Sequence, residues 1–322
     1  MKYFSRLQKM TKNTTLLIPV YNDWESLSLL LEKVNDEALR MDILFGIVIM
    51  NDCSSETMKV KTYTNLDISV VHLLRNVGHQ KAIAVGLSHL AAVDEETDVI
   101  VMDADGEDKA SDIPALMAAA AENPAKIVFA QRSKRSEGLI FQLFYVIYKM
   151  IFKILTGKVI AFGNYSLVPF RFLKKISFVS EIWSNYPGGV IRSKLPFTSI
   201  PLERGKRLAG ESKMNFVSLV LHGMSTVAVF LDTTAVRIML FSIVMIGFSL
   251  LGIGVVMELK FVAHVASPGW ASSLASAFFI IVLQAFFISL FLVFTVLSYR
   301  SNKHFIPMTD YPPFIERIEK IS

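Results

Sequence analysis

Short apolar runs alternate with longer stretches of helical periodicity through the first part of the chain. Thr14–Val20 (TTLLIPV), Ile43–Met50, Ile68–Leu74, Val99–Met102 and Lys126–Ala130 are brief and mostly β-branched or aliphatic, the pattern of buried parallel strands. Between them, Asp23–Arg40 places Leu27, Leu30, Leu31 and Val34 on one helical face. A second helix is expected after Arg75-Asn76-Val77-Gly78, running through Leu90. A third starts near Asp112, with Asp112 as N-cap and Pro114 in the first turn, and continues through Ala115–Ala121. Each strand ends in polar residues. Strands alternating with helices in this way predict an α/β fold built on a doubly wound, mostly parallel sheet.

The pattern then changes. Leu139–Leu155 (LIFQLFYVIYKMIFKIL) is apolar except for its tyrosines and for Gln142, Lys149 and Lys153, which share one helical face. A broad apolar face with a thin basic stripe suits a helix lying in a membrane interface, the plainer alternative being a core helix. Phe216–Phe230 repeats the theme with Ser218, His222 and Ser225 as its polar stripe. Val236–Met257 and Ala271–Ser298 each reach the roughly 20 apolar residues needed to cross a bilayer. Arg204, Lys206, Arg207 and Lys213 precede this pair, and Arg300, Lys303 and Arg317 follow it. The positive-inside rule therefore puts both flanks in the cytoplasm and the short loop, with Trp270 as interfacial anchor, outside. The expected organisation is a cytoplasmic domain over 1–215 (with 139–155 interfacial), a juxtamembrane helix over 216–230, spans at 236–257 and 271–298, and a cytoplasmic tail over 299–322. The expected location is the inner or plasma membrane.

Composition sharpens this division. Hydrophobic residues make up 52% of the 322, and the excess lies in the last third. The formal net charge is +5, with the basic residues gathered around the apolar segments. That suits an anionic membrane surface or a phosphate ligand, and no nucleic-acid motif accompanies it. Cys53 is the single cysteine, which excludes an intrachain disulfide framework. The stretch Met1–Asn13 is basic without an apolar core, so no secretory signal is expected from it.

The densest candidate chemistry is Asp98–Pro114 (DVIVMDADGEDKASDIP). It sets Asp103 and Asp105 at the carboxyl end of a strand, with Glu107 and Asp108 behind them. Ligands of open α/β sheets bind at that end. Two carboxylates one residue apart can hold a hard cation, Mg2+ or Mn2+, that also grips phosphates; an Asp-rich turn capping a helix is the plainer alternative. Ile18-Pro19-Val20-Tyr21-Asn22, Asn51-Asp52-Cys53-Ser54, Arg75-Asn76-x-Gly78 and Asp103-Ala104-Asp105 follow one another at comparable spacing. Glu203-Arg204-x-x-Arg207-x-x-Gly210-Glu211-Ser212-Lys213 lies farther on, and Thr233-Thr234-x-x-Arg237 leads into the first span.

In this order the motifs resemble glycosyltransferase family 2. More narrowly they resemble its polyprenyl-phosphate branch, that of dolichyl-phosphate mannose synthase and the bactoprenol-phosphate glucosyltransferases. The resemblance covers nearly the whole chain and implies a GT-A-like fold. It also implies inverting transfer of a sugar from a nucleotide sugar, UDP-linked in the bacterial branch, to polyprenyl (undecaprenyl) phosphate. Asp105, with Asp103, would hold Mg2+ or Mn2+. Asp103, Asp105, Glu107, Arg204 and Arg207 would be catalytic. Pro19, Tyr21, Asp52, Arg75, Gly78, Lys81 and Asp103 would bind the nucleotide sugar. Arg132, Arg135, Lys213 and Asn164 would meet the acceptor phosphate, with a solvated charge run as the alternative for Arg132 and Arg135. By analogy a homo-oligomer, a tetramer in the family, is implied.

Several positions depart from the family pattern. Asn51-Asp52 keeps only the second of two acids, and Glu107 and Lys109-Ala110 stand where Gln and a Pro pair are common. Gly163-Asn164-Tyr165-Ser166 stands where many members carry Gly-Asp-Phe-Arg. An amide at 164 removes a general base, which a hydroxyl acceptor needs. A phosphate monoester, whose second pKa is about 6, does not need one. Transfer to a saccharide hydroxyl, with Glu107 or Asp108 as base, is the nearest alternative. A non-catalytic scaffold that binds nucleotide sugar is the alternative from another class.

Overall fold

The structure, a computed structural model, describes residues 14–93, 96–132, 139–159, 162–210, 223–264, 269–302 and 304–321. The chain divides into two compact units: Met1–Gln142, Ile160–Val229 and His304–Ser322 form one, Leu143–Val159 and Phe230–Lys303 the other.

The first unit is built on an eight-stranded sheet among the described residues, in the order β7-β5-β6-β4-β1-β2-β3-β8. Strands β1 (Thr14–Val20), β2 (Phe45–Asn51), β3 (Leu66–Leu73) and β4 (Asp98–Val101) run parallel, as the apolar runs predict. Strand β5 (Ile127–Arg132) and the half-buried edge strand β7 (Phe197–Leu202) are parallel to each other. Strand β6 (Phe162–Val168) lies between β4 and β5 and is antiparallel to both. Alternation along the strands supplies two cores. Leu16, Ile18 and Ile47 face α1 (Trp24–Met41) and α3 (Ile113–Glu122). Leu17, Met50 and Val71 face α2 (His79–Val93), while α4 (Leu139–Thr156) is placed in the other unit. Helices α5 (Phe170–Ser177) and α6 (Tyr186–Ser193) complete that second layer through Phe172, Leu173 and Val190. Asp112 does stand at the N-cap of α3, with Pro114 in its first turn, although its side chain makes no capping bond.

The last stretch of the chain, from His304, belongs to the first unit. Helices α7 (Leu231–Phe261) and α8 (Trp270–Ser301) are followed by the short α9 (Pro307–Asp310) and by β8 (Ile315–Ile321). Strand β8 pairs antiparallel with β3 and closes what would otherwise be an open edge. Lys320 meets Asp67 at 3.3 Å and Glu319 meets His72 at 3.2 Å across this pair.

In the second unit, α7 and α8 are 31 and 32 residues long and apolar enough to cross a membrane. At 1.5 Å per residue each runs about 47 Å, beyond the ~30 Å hydrocarbon core. Large side chains such as Phe248 and Phe291 face outward, as they do in lipid-facing helices. Gly252 lies against the Phe278 ring, and Asp232 at the start of α7 meets Arg300 near the end of α8 at 3.6 Å, so the two form an antiparallel hairpin. Arg237 donates to the carbonyls of Lys153 and Ile154 at 3.3 and 2.6 Å, satisfying the last turn of α4. On α4, Val146, Met150 and Ile154 are exposed together with Lys149 and Lys153, whereas Phe152 and Thr156 are buried. Of Phe216–Phe230, residues 216–222 lie outside the described residues.

Candidate active site

The carboxyl ends of β1, β2, β3 and β4 gather their polar turns along one rim of the sheet. Beyond β4, Asp105 Oδ1 accepts the Glu107 N–H at 2.9 Å and Asp108 Oδ2 accepts the Asp103 N–H at 3.0 Å, so the acids shape their own turn. Strand β7 ends on the same rim, and the residues after it fold back over that turn. Gly205 N–H donates to Glu107 O at 2.8 Å and Leu208 N–H donates to Asp105 O at 3.0 Å. This close approach requires glycine on both sides. Gly106 has φ +78° with Leu208 packed where a Cβ would stand, and a Cβ on Gly205 would lie 2.8 Å from Gly106 O.

The fold-back delivers two guanidinium groups to the acids. Arg204 pairs with Glu107, and Arg207 pairs with Asp23 while its Nη1 stands 3.5 Å from Asp105 Oδ2. Arg207 Nε donates to Ala209 O at 2.8 Å, and the buried Ser26 hydroxyl donates to that same carbonyl at 3.0 Å. Arg207 is thereby fixed in direction. Arg204 Nε is buried and has no hydrogen-bond partner among the described residues. Burial, followed by the charge of Asp103, pushes the Asp105 carboxyl up to about 6; Arg207 and Arg204 oppose this and Asp23 adds to it.

Asp103 is held from the far side by the antiparallel neighbour of its strand. The register Val101↔Ser166, carried two residues on, sets Asn164 opposite Asp103. Asn164 Nδ2 donates to Asp103 Oδ1 at 3.2 Å, and Gln80 Nε2 donates to Asn164 Oδ1 at 2.9 Å. Asn164, expected at an acceptor phosphate, is thus engaged with an acid. Glu107 and Asp108, the bases considered for a hydroxyl acceptor, are engaged as well, with Arg204 and with the Asp103 N–H.

The remaining expected residues divide. Pro19 is buried in β1, while Tyr21 is 45% exposed at the rim. Asp52 is buried, and its two oxygens accept the Val77 and Gly78 N–H groups at 2.7 and 2.8 Å. Burial raises its carboxyl despite those bonds and the nearby His79 and Lys81. It therefore pins the turn after β3, where Gly78 adopts φ +90°. Lys81 lies over the Trp183 ring at 5.5 Å and Arg75 over Phe314 at 5.9 Å. Arg132 ends β5, and Arg135 and Lys213 lie outside the described residues. Asp23 and Gln80 join the site without carrying any sequence motif. Only the pairing of α1 and α2 with the rim brings them in.

Among the described residues no three His, Cys, Asp or Glu side chains are grouped to hold a metal ion. Two carboxylates do fit Mg2+ or Mn2+ in one respect. Such ions take hard oxygen donors and commonly use one or two protein carboxylates, completing their shell with substrate phosphates and water. Burial and, after it, the charge of Asp103 raise Asp105, and a bound cation would offset both.

Residues 15–172 match the model of the family described as Glycosyl transferase family 2. The chain is 26% identical to an undecaprenyl-phosphate 4-deoxy-4-formamido-L-arabinose transferase of Salmonella choleraesuis, over 95% of this chain and 89% of that protein. The same identity and coverage are found with the transferase of that name from Salmonella typhimurium. Glucosyl-3-phosphoglycerate synthase from Mycobacterium tuberculosis, solved with Mn2+, uridine-diphosphate-glucose and phosphoglyceric acid, shares the fold. Its TM-score is 0.50 at 10% identity, over 72% of this chain and 82% of that one. The motif order, the sheet topology and these matches converge: residues 15–172 carry a glycosyltransferase family 2 domain with a GT-A fold, and undecaprenyl-phosphate transferases are among the relatives of the chain.

Proposed function

We propose that this protein transfers a sugar from a nucleotide sugar, UDP-linked in the reading we favour, to a polyprenyl phosphate at the cytoplasmic face of the membrane. The observation that carries the reading is the fold-back of Glu203–Gly210 onto the Asp103–Asp105 turn. It sets Arg204 and Arg207 beside the acids at the sheet rim, with the Arg204 Nε donor meeting no partner among the described residues. Breaking the glycosidic bond leaves negative charge on a nucleoside diphosphate, and preorganised guanidinium donors aimed at that charge lower the barrier. Asp105 and Asp103 would hold the divalent cation, which supplies Lewis-acid stabilisation of the leaving diphosphate. Arg207, oriented by Asp23 and Ala209 O, keeps its charge against Asp105 without freedom to swing away.

The acceptor side follows from Asn164. Its amide is committed to Asp103 and Gln80, and an amide takes no proton at neutral pH. A nucleophile that arrives ionised, a phosphate monoester, needs no base there. One displacement by that oxygen inverts the anomeric carbon. The similarity to transferases that bear undecaprenyl phosphate in their names, and the exposed apolar surface of α4, α7 and α8, support a lipid carrier of this kind. The test is a screen of nucleotide sugars against the purified protein with polyprenyl phosphate, read as nucleoside-diphosphate release. Release that requires the lipid phosphate is expected; release that requires a saccharide hydroxyl instead would replace the acceptor.

A further inference from the structure

Two departures from the family pattern, Asn164 and Ser166, meet at one buried tyrosine. Tyr186 is fully buried, and its two donors meet Gln80 on α2 and Ser166 on β6. Its backbone N–H donates to Gln80 Oε1 at 2.6 Å. Its hydroxyl lies 2.8 Å from Ser166 Oγ, and Ser166 Oγ–H donates to Asn164 O at 2.9 Å. The directions are fixed by chemistry. A backbone N–H only donates, so the Gln80 oxygen must face it and the Gln80 nitrogen must face Asn164. That turns the Asn164 oxygen to Gln80 and its nitrogen to Asp103. On the other arm a carbonyl only accepts, so Ser166 donates to it and takes the Tyr186 O–H. Gln80, Asn164, Ser166 and Tyr186 are all buried, so each of these bonds is costly to leave unmade.

We propose that Gln80, Asn164, Ser166 and Tyr186 form a positioning relay that fixes Asp103: Asn164 holds Oδ1, and Oδ2 is left aimed at the cation and nucleotide. Asn164 and Ser166 are then one coupled replacement. The amide gives up any proton-accepting role and becomes the last donor of a chain anchored on the α6 backbone. The inference rests on the metal-binding reading of Asp103 and Asp105.

The test uses the full-length protein in detergent and counts bound Mn2+ by electron paramagnetic resonance in the presence of UDP. Wild type, Asn164→Ala, Gln80→Leu and the double variant are compared, with thermal melts to establish folding. The relay predicts three- to tenfold weaker Mn2+ binding in each single variant. The double variant should bind no more weakly than Asn164→Ala, because Gln80 acts only through Asn164. Tyr186→Phe, which keeps the ring and loses one arm, should show a smaller loss of about twofold, and it serves if Asn164→Ala does not fold. Folded variants that bind Mn2+ as wild type does, or losses that multiply in the double variant, overturn the relay. Wild type that binds no Mn2+ with UDP present overturns the metal reading itself, and the relay with it. Sugar transfer plays no part in this readout, so failure of the proposed reaction leaves it intact.

Discussion

At the scale of single residues, the acids at the β4 end were legible because their Asp-x-Asp closes an apolar run in series with the other strand-end motifs. Asp23, Gln80 and the role of Asn164 were not. Asp23 reads as an ordinary residue before a helix, and it meets Arg207 across 184 positions of sequence. Gln80 reads as a helix residue, and only the antiparallel register of β6 brings Asn164 between it and Asp103. Arg207 is the residue on which these long-range contacts converge. Arg207→Lys keeps the charge but loses the planar fork that spans Asp23, Asp105 and Ala209 O. It should lower kcat ten- to a hundredfold, measured at saturating nucleotide sugar; retention within threefold would remove the guanidinium from the mechanism. Asp98, at the other end of β4, gives a pH prediction. Its Oδ1 accepts the Phe170 N–H at 2.9 Å, and burial raises its carboxyl against that bond and Arg171. A raised acid favours the folded state when protonated: its contribution is fully present below the unfolded value of about 3.9 and lost as pH rises through the folded value. Asp98→Asn should therefore raise Tm at pH 7, with the gap closing toward pH 4.

At the scale of elements, strands β1 to β5 were legible and β6, β7 and β8 were not, each for its own reason. Strand β6 (FGNYSLV) opens with Gly-Asn, which reads as a turn, and β7 carries Pro201 on a half-buried edge. In β8 (IERIEKI) the isoleucines recur every third residue, so neither the strand nor the helix period stands out. What makes β8 a strand is the open edge of β3. Its removal is a direct test of that view. Truncation after Phe314 should lower Tm by several degrees and promote aggregation, because an uncovered parallel edge is a pairing surface. A truncated protein with unchanged Tm and solution behaviour would make β8 dispensable.

At the scale of the whole molecule, composition already separated a sheet domain from an apolar hairpin, since 20 uncharged apolar residues leave little choice of environment. The exposed apolar arc of α4, in the same unit as the hairpin, is the surface proposed to meet the membrane beside it. Met150→Glu with Ile154→Glu should raise KM for polyprenyl phosphate severalfold and leave KM for the nucleotide sugar unchanged. Equal effects on both would count α4 as a folding element only. The central claim is that the rim acids act on a nucleotide sugar whose sugar passes to a membrane lipid phosphate. Membranes bearing the wild type or Asp105→Ala, incubated with labelled nucleotide sugar, test it most directly. The account predicts a mild-acid-labile, lipid-extractable labelled product from the wild type and none from Asp105→Ala; equal product from both would contradict it.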